Sequence, residues 1–380
     1  MPWQVSDSMS QRIQFVAEVA DGIYSMTELC HRYRISRKTG YKWIARGGDL
    51  RDQSRRPHHT PSATDDATVA LIREIRRRHP TWGPRKLRVL LERQGLPVVP
   101  ARSTIAQILQ REGLIAVRRR RAGRQQADGP LTPMTGPNVV WTADFKGEFR
   151  TQDGAWCYPL TVVDGFSRYL LTCFGLDGPR TGLTQRVFER VFREYGLPEI
   201  LRTDNGEPFA SASSIGRLSR LSVWWIRLGI RVERIAPGRP DQNGRHERFH
   251  RTLLQDILLP HPARNRRAQQ RRFREYQALY NEVRPHEALE DQTPATRFAH
   301  SPRAFPVRLP RVEYSAAHTV RRVGASGNFS WRGHDVRLTR VLDGEDVGLL
   351  PIADGVWTVY FGSVRLGQFD ERLRQMKKPD

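Results

Sequence analysis

After Asn138 the apolar runs come in an order that few architectures accommodate. Three strand-like runs, at 139–145, 158–164 and 169–174, follow one another closely, so their short connections favour an antiparallel meander. A helical stretch at 181–195 comes next, with Leu183, Val187 and Val191 on one face, Phe188 and Phe192 beside them, and Gly196 as its stop. A fourth strand at 200–204 runs into the Asn205-Gly206 turn. Then come a helix at 214–228 with Trp224 and Trp225, a fifth strand at 230–234, a Pro/Gly loop, a helix carrying Glu247, and a further helix over about 265–281. Strands mixed with helices in this order describe an α/β core with a mixed sheet flanked by helices.

Acidic residues fall at informative places in that scheme. Asp144 and Asp204 each close a strand-like run, and strands one and four can be neighbours in the sheet. Alone, an Asp after a strand reads as a turn or cap residue. Glu247 lies in a stretch, 239–251, that packs four Arg and two His around it. On a helical wheel Leu254 and Leu258 fall within about 20° of Glu247, which puts it on the rim of the buried face. Alone, a Glu among arginines reads as one member of surface ion pairs. Together the three carboxylates suit Mg²⁺ or Mn²⁺, which prefer oxygen ligands. Two such ions, about 4 Å apart, can serve an in-line phosphodiester displacement. His250, one turn from Glu247, is placed to contact DNA or orient the site.

The charge agrees with a polyanionic substrate. The net charge is +23, and only six of the 63 basic residues are Lys. Arginine forks phosphates and base edges, so nucleic acid is the expected partner. A base-composition bias in the coding gene produces the same excess of Arg. Cys30, Cys157 and Cys173 are scattered without a C-x-x-C pair, which argues against a disulfide framework or a structural zinc site. No apolar run reaches the roughly 18 residues of a membrane span, and no leader pattern precedes the first helices, so a soluble, cytoplasmic protein is expected.

Upstream, residues 1–50 read as three short helices. Ile13, Val16 and Val19 mark the first, Ser25-x-x-Glu28 is a capping box for the second, and Ser36 caps the third. The third helix presents Arg37, Lys38, Thr39, Tyr41 and Lys42, the pattern of a helix-turn-helix reading head. A plain three-helix bundle with a basic face has the same spacing. Residues 60–117 form a second helix-turn-helix candidate, with Arg102, Ser103, Thr104 and Gln107 facing DNA; a spacer bundle is the alternative. Residues 118–137 form a basic linker opening on four consecutive arginines, suited to a phosphate backbone. The core occupies 138–300. Residues 305–372 alternate short β runs with Gly/Asn/Asp turns, which predicts a small β-barrel.

Several ordered motifs carry a family resemblance. They are Trp141-Thr-Ala-Asp144-Phe-Lys, Val163-Asp-Gly-Phe-Ser-Arg168, Thr203-Asp-Asn-Gly206, Pro237-Gly-Arg-Pro-Asp-Gln-Asn-Gly244 with the Glu247 helix, and Tyr280-Asn-x-x-Arg-Pro-His286. As a set, spanning about 138–300, they resemble bacterial insertion-sequence transposases with a retroviral-integrase-type, RNase H-like catalytic core. The resemblance implies that Asp144, Asp204 and Glu247 hold two Mg²⁺ ions, with Mn²⁺ as a substitute. It also implies that the helix-turn-helix units bind the element's terminal inverted repeats. The core would free the element's 3′ end and join it to target DNA, and a homo-oligomer would hold two ends together. Arg245, Arg248 and Arg251 then become candidates for gripping the DNA. A metal-dependent nuclease of the same fold and a catalytically inactive DNA-binding repressor are the alternatives. Forty-two residues lie between Asp204 and Glu247, more than is usual in the family, and the extra length is assigned to 211–221. Glu233 is the competing third acid, and Glu207 a possible accessory ligand. The zinc module of retroviral integrases has no counterpart.

Overall fold

A computed structural model describes residues 7–53, 64–115, 131–212, 214–236, 240–258 and 262–377. The chain divides into two compact units, Met1–Asp65 and Asp66–Asp380. The four arginines at 118–121 lie outside the described residues.

The first unit is the expected trio of helices, α1 (Ser8–Ala20), α2 (Met26–Arg32) and α3 (Arg37–Ala45). Ser25 and Glu28 form the capping box, and the Ser36 side chain accepts from the Thr39 N–H at the start of α3. Phe15, Leu29 and Cys30 fill the core. Ile13, assigned to the buried stripe from its spacing, is 56% exposed; Phe15 takes the inward position. Gly40 lets α3 approach closely, because a Cβ there would meet the Cys30 Sγ at 2.8 Å.

The second unit opens with α4 (Asp66–Arg78), α5 (Pro84–Arg93) and α6 (Arg102–Arg111) around Ile72, Trp82, Leu87, Leu91, Ile105 and Leu109. The Arg76 guanidinium closes this bundle by donating to the carbonyls of Trp82 and Leu114.

The mixed sheet follows. Its strands are β1 (Val140–Phe145), β2 (Phe149–Arg150), β3 (Trp156–Asp164), β4 (Leu170–Leu176), β5 (Ile200–Thr203) and β6 (Arg231–Arg234). The meander is antiparallel as expected: β3 pairs with β1, β4 and the short β2. From β1 onward the sheet turns parallel, β1 to β5 to β6. Helices α7 (Thr181–Tyr195) and α8 (Arg220–Arg227) bury Phe188, Phe192, Trp224 and Trp225 against this sheet. Helices α9 (Gly244–Leu253) and α10 (Arg266–Ala278) contribute Phe249, Leu253, Phe273 and Tyr276 to a second cluster with Cys157, Leu170 and Cys173.

Two helices differ from their periodicity. The stretch 214–228 is a short 3₁₀ turn, Ile215–Arg217, followed by α8; Gly216 and Arg217 have positive φ, and Ser219 caps the new helix. The helix over 265–281 ends at Ala278 in a wide turn, Leu279–Val283, where the Asn281 amide bonds the backbone N–H and carbonyl of Leu170.

Gly196, predicted to stop α7, is required there by more than its helix-ending role. Its φ is +80°, and an added Cβ would lie 2.7 Å from the Ser301 carbonyl oxygen. Gly196→Ala is expected to cost about 1–3 kcal/mol or more, read as a lowered thermal midpoint.

The C-terminal strands are β7 (Thr319–Arg322), β8 (Asn328–Trp331), β9 (His334–Arg337), β10 (Asp346–Ala353), β11 (Val356–Phe361), β12 (Val364–Asp370) and β13 (Gln375–Lys377). The expected barrel does not close. The hydrogen-bonded order is β13-β12-β11-β10-β7, an open sheet, and β8–β9 is a separate hairpin joined to it by one bridge, Val323 to Phe329. The core fills by packing the hairpin's Phe329, Trp331 and Val336 onto the sheet's Val347, Val359 and Phe369. The same cluster includes Ile215, Leu218 and Ile226 at and before α8, so this layer rests on the mixed sheet's flank.

Candidate active site

The switch from antiparallel to parallel pairing occurs at β1, and loops beyond the carboxyl ends of strands at such a point commonly build sites. Thr142 pairs with Arg202 in the parallel β1–β5 ladder. Two residues further along each chain are Asp144, at the end of β1, and Asp204, just past β5. The sheet register therefore sets these two acids side by side. Glu247 comes from the first turn of α9. Burial first, and then the Asp204 carboxylate, push the Asp144 carboxyl up to about 7; Glu247 adds to the rise, while the Phe145 N–H and Lys146 oppose it. Among the described residues, none of the three carboxylates pairs with an arginine or lysine; the ion-pair contact of Asp144 is His250, whose Nδ1 lies 3.7 Å from its Oδ2.

The rival third acid is engaged elsewhere. Glu233 lies 2.6 Å from the buried Arg202 guanidinium and accepts from the N–H and hydroxyl of Thr132. Glu207 is exposed.

Beneath Asp144 lies a polar chain that the sequence did not disclose. His246 and His250 are both buried on the inner face of α9. The Thr142 hydroxyl is 2.8 Å from His246 Nδ1, the Thr161 hydroxyl is 2.7 Å from His246 Nε2 and 2.8 Å from His250 Nε2, and Thr161 also donates to the Asp144 carbonyl at 3.0 Å. Burial holds both rings neutral, His246 down to about 3 and His250 lower still. The signal available in sequence was the i, i+4 spacing of two histidines on the face shared with Phe249 and Leu253. His246-Glu-Arg-Phe-His250 also has the H-E-x-x-H spacing of helical zinc sites. Here the hydroxyls of Thr142 and Thr161 occupy both His246 nitrogens, and the Glu247 side chain is exposed, so a metallopeptidase centre is not built.

Comparison with known proteins bears on the chain's domains. The family described as "Integrase core domain" matches residues 134–240, and a second family of that description matches 228–294. "Helix-turn-helix domain" matches 11–58 and "Homeodomain-like domain" 39–109. "IS481 family transposase, C-terminal domain" matches 318–377. An uncharacterized 31.7 kDa protein of insertion element IS407 from Burkholderia multivorans is 29% identical over 282 residues, covering 73% of this chain and 96% of that protein. An uncharacterized 39.2 kDa protein of insertion element IS476 from Xanthomonas euvesicatoria is 27% identical, over 63% of this chain and 66% of its own length. These matches support a bacterial insertion-sequence transposase with an integrase-type core. Integrase-type catalysis of DNA transposition is its activity. The Gag-Pol polyprotein of baboon endogenous virus is 27% identical over 46% of the chain, which spans only 10% of that polyprotein.

The transposase presents its other candidate residues as follows. Arg37, Lys38, Tyr41 and Lys42 are exposed on α3, with the Lys42 ammonium 5.0 Å over the Trp43 ring. Arg102, Ser103 and Gln107 are exposed on α6, and Thr104 is half-buried. Arg245, Arg248 and Arg251 are exposed on α9. Arg245 and Arg168 both donate to the Gly165 carbonyl, at 3.0 and 3.1 Å, which sets two guanidiniums together beside the core. The sequence reading gave Arg168 no role.

Proposed function

We propose that this transposase cuts and joins DNA at a divalent-metal site formed by Asp144, Asp204 and Glu247. The observation that carries this reading is the cluster of three carboxylates, none of them ion-paired with an arginine or lysine among the described residues, with Asp144 raised by burial and by the other two. Such a set fits hard divalent ions, which take oxygen ligands. Two bound Mg²⁺ or Mn²⁺ ions would supply positive charge to the attacking and leaving oxygens of an in-line displacement.

The chain's own residues define where this happens. Asp144 is fixed by a strand paired on both sides, and Asp204 by the turn after β5, where its Oδ1 accepts from the Gly206 N–H. Glu247 arrives on a helix anchored by Phe249 and Leu253. In the first reaction a water oxygen bonds to phosphorus at the element's 3′ end, and the bond from that phosphorus to the 3′ oxygen breaks, leaving a 3′-hydroxyl on the element. In the second, that hydroxyl oxygen bonds to a target phosphorus and displaces the target's 3′ oxygen. Arg245, Arg248 and Arg251 line the helix beside the site and hold DNA phosphates. A homo-oligomer brings two ends together.

Joining distinguishes this reading from a nuclease. Labelled element ends incubated with plasmid and Mg²⁺ should give end-to-plasmid products; cleavage without joining would favour the nuclease.

The helix-turn-helix units bind the terminal inverted repeats through α3 and α6. Each phosphate contact steepens the salt dependence of binding by about 0.9 in log K against log salt. Removing two by Arg37→Ala with Lys38→Ala should therefore flatten the slope by about 1.8, measured by fluorescence anisotropy on an element end. An unchanged slope places α3 off the DNA.

A further inference from the structure

His250 Nδ1 faces the Asp144 carboxylate, and hydrogen-bond accounting fixes what it offers there. The Thr161 hydroxyl has one hydrogen and three close neighbours: the Asp144 carbonyl, His246 Nε2 and His250 Nε2. A carbonyl can only accept. All three contacts are hydrogen bonds in one arrangement alone, with Thr161 donating to the Asp144 carbonyl and both histidines donating from Nε2–H. A neutral imidazole carries one N–H, so both Nδ1 atoms are then bare lone pairs. His246 Nδ1 then accepts from the Thr142 hydroxyl at 2.8 Å, the nearer of that hydroxyl's two acceptors, the Val163 carbonyl lying at 3.4 Å. His250 Nδ1 is left facing Asp144 Oδ2 across 3.7 Å.

We propose that His250 is a nitrogen ligand of the cation held by Asp144, its Nδ1 aimed into the gap by the Thr142–His246–Thr161 chain. The proposal rests on the carboxylate metal site argued above. Imidazole bound through one nitrogen with its other N–H donating to a fixed acceptor is the usual arrangement of metal-ligating histidine. Here Thr161 is that acceptor, and His246 braces it from the other side. A cation held there would give both Nδ1 and the Asp144 carboxylate an attractive contact. Asp144 and His250 also come from different elements, β1 and α9, so shared ligation would tie the Glu247 helix to the sheet. A nitrogen donor tilts an otherwise all-oxygen site from Mg²⁺ toward transition ions.

The test uses untagged full-length protein, Mn²⁺ as the probe, and pulsed electron paramagnetic resonance on samples with ordinary and ¹⁵N-labelled histidine. The expected result is a histidine nitrogen coupling at bound Mn²⁺ that changes isotope with the label and disappears in His250→Gln. That variant should also bind Mn²⁺ at least about tenfold more weakly, since even residues that merely support a ligand cost about 10–100-fold in affinity. Thermal melting of the variant checks its fold, and the labelled wild-type measurement needs no variant. Bound Mn²⁺ without a histidine coupling overturns the proposal. The carboxylate site is judged separately by Asp144→Asn: if that variant binds Mn²⁺ unchanged, the underlying site is wrong as well. Loss in Asp144→Asn with no histidine coupling in the wild type leaves the carboxylates standing and removes His250 alone.

Discussion

Asp204→Asn is expected to abolish end cleavage and strand transfer together, by roughly a thousandfold or more, while element-end binding stays within a few-fold of wild type. A thousandfold corresponds to about 4 kcal/mol at the transition state, the scale expected for loss of bound-metal charge stabilisation. Asparagine keeps the shape and the Oδ1 that accepts from the Gly206 N–H, so the turn after β5 is preserved. What is lost is one of the charges that hold the cation. Stability supplies an independent readout. In metal-free protein the Asp144 carboxyl is raised from its ordinary 3.8 to about 7. The folded state therefore holds a proton that the unfolded state releases, and the site's contribution to stability falls as pH rises between those values. Removing the Asp204 charge takes away part of the cause. Melting curves of wild type and Asp204→Asn should therefore diverge as pH approaches 7, with the variant the more stable. A variant that still cleaves DNA would reject Asp204 as a ligand. One that melts early at every pH would mean that Asp204 serves the fold.

The pairing of the two Asp residues was legible because strand order and strand ends can be read locally. Apolar runs locate β1 and β5, and the helix between Gly196 and the meander leaves them free to lie parallel. The histidine chain was not legible in the same way. It depends on Thr161 lying opposite Asp144 in the β1–β3 register and on α9 crossing that pair. Neither condition has a local signature, and a buried histidine on an apolar helix face looks like a core residue. The open C-terminal sheet was hidden for a related reason. Alternation and turn residues predict strands, but closure depends on whether the β8–β9 hairpin pairs or merely packs. Here only Val323 and Phe329 make the bridge. The early end of α10 is likewise a long-range effect, since the Asn281 amide is satisfied by Leu170 on β4, more than one hundred residues earlier.

Arg284→Met is expected to loosen the second unit by about 3–5 kcal/mol without touching any of the three acids. The Arg284 guanidinium lies 2.6 Å from Asp256, and both side chains are no more than 10% exposed. The same carboxylate accepts from the Thr81 hydroxyl in the α4–α5 turn, and the guanidinium sits 5.7 Å over the Trp82 ring. Asp256 lies in the wide turn Leu254–Leu258 that continues α9, and Arg284 follows the wide turn after α10. One ion pair thus joins the second helical bundle, the helix of Glu247 and α10. Removing only the cation strands a buried carboxylate, and the cost is that of an uncompensated charge. Because the chain has more than one unit, a single global unfolding energy is a poor measure. Amide hydrogen exchange reads the effect where it arises: protection across 79–87 and 249–258 should fall about a hundredfold or more, while α1–α3 exchange as before. Replacing both partners, Asp256→Leu with Arg284→Met, should recover most of the protection, because a buried pair exchanged for apolar groups of similar size is often neutral. If the double variant opens as readily as the single one, the pair's hydrogen bond to Thr81 carries the junction. If the single variant exchanges like wild type, packing of Trp82 and Tyr276 holds α9 in place without it.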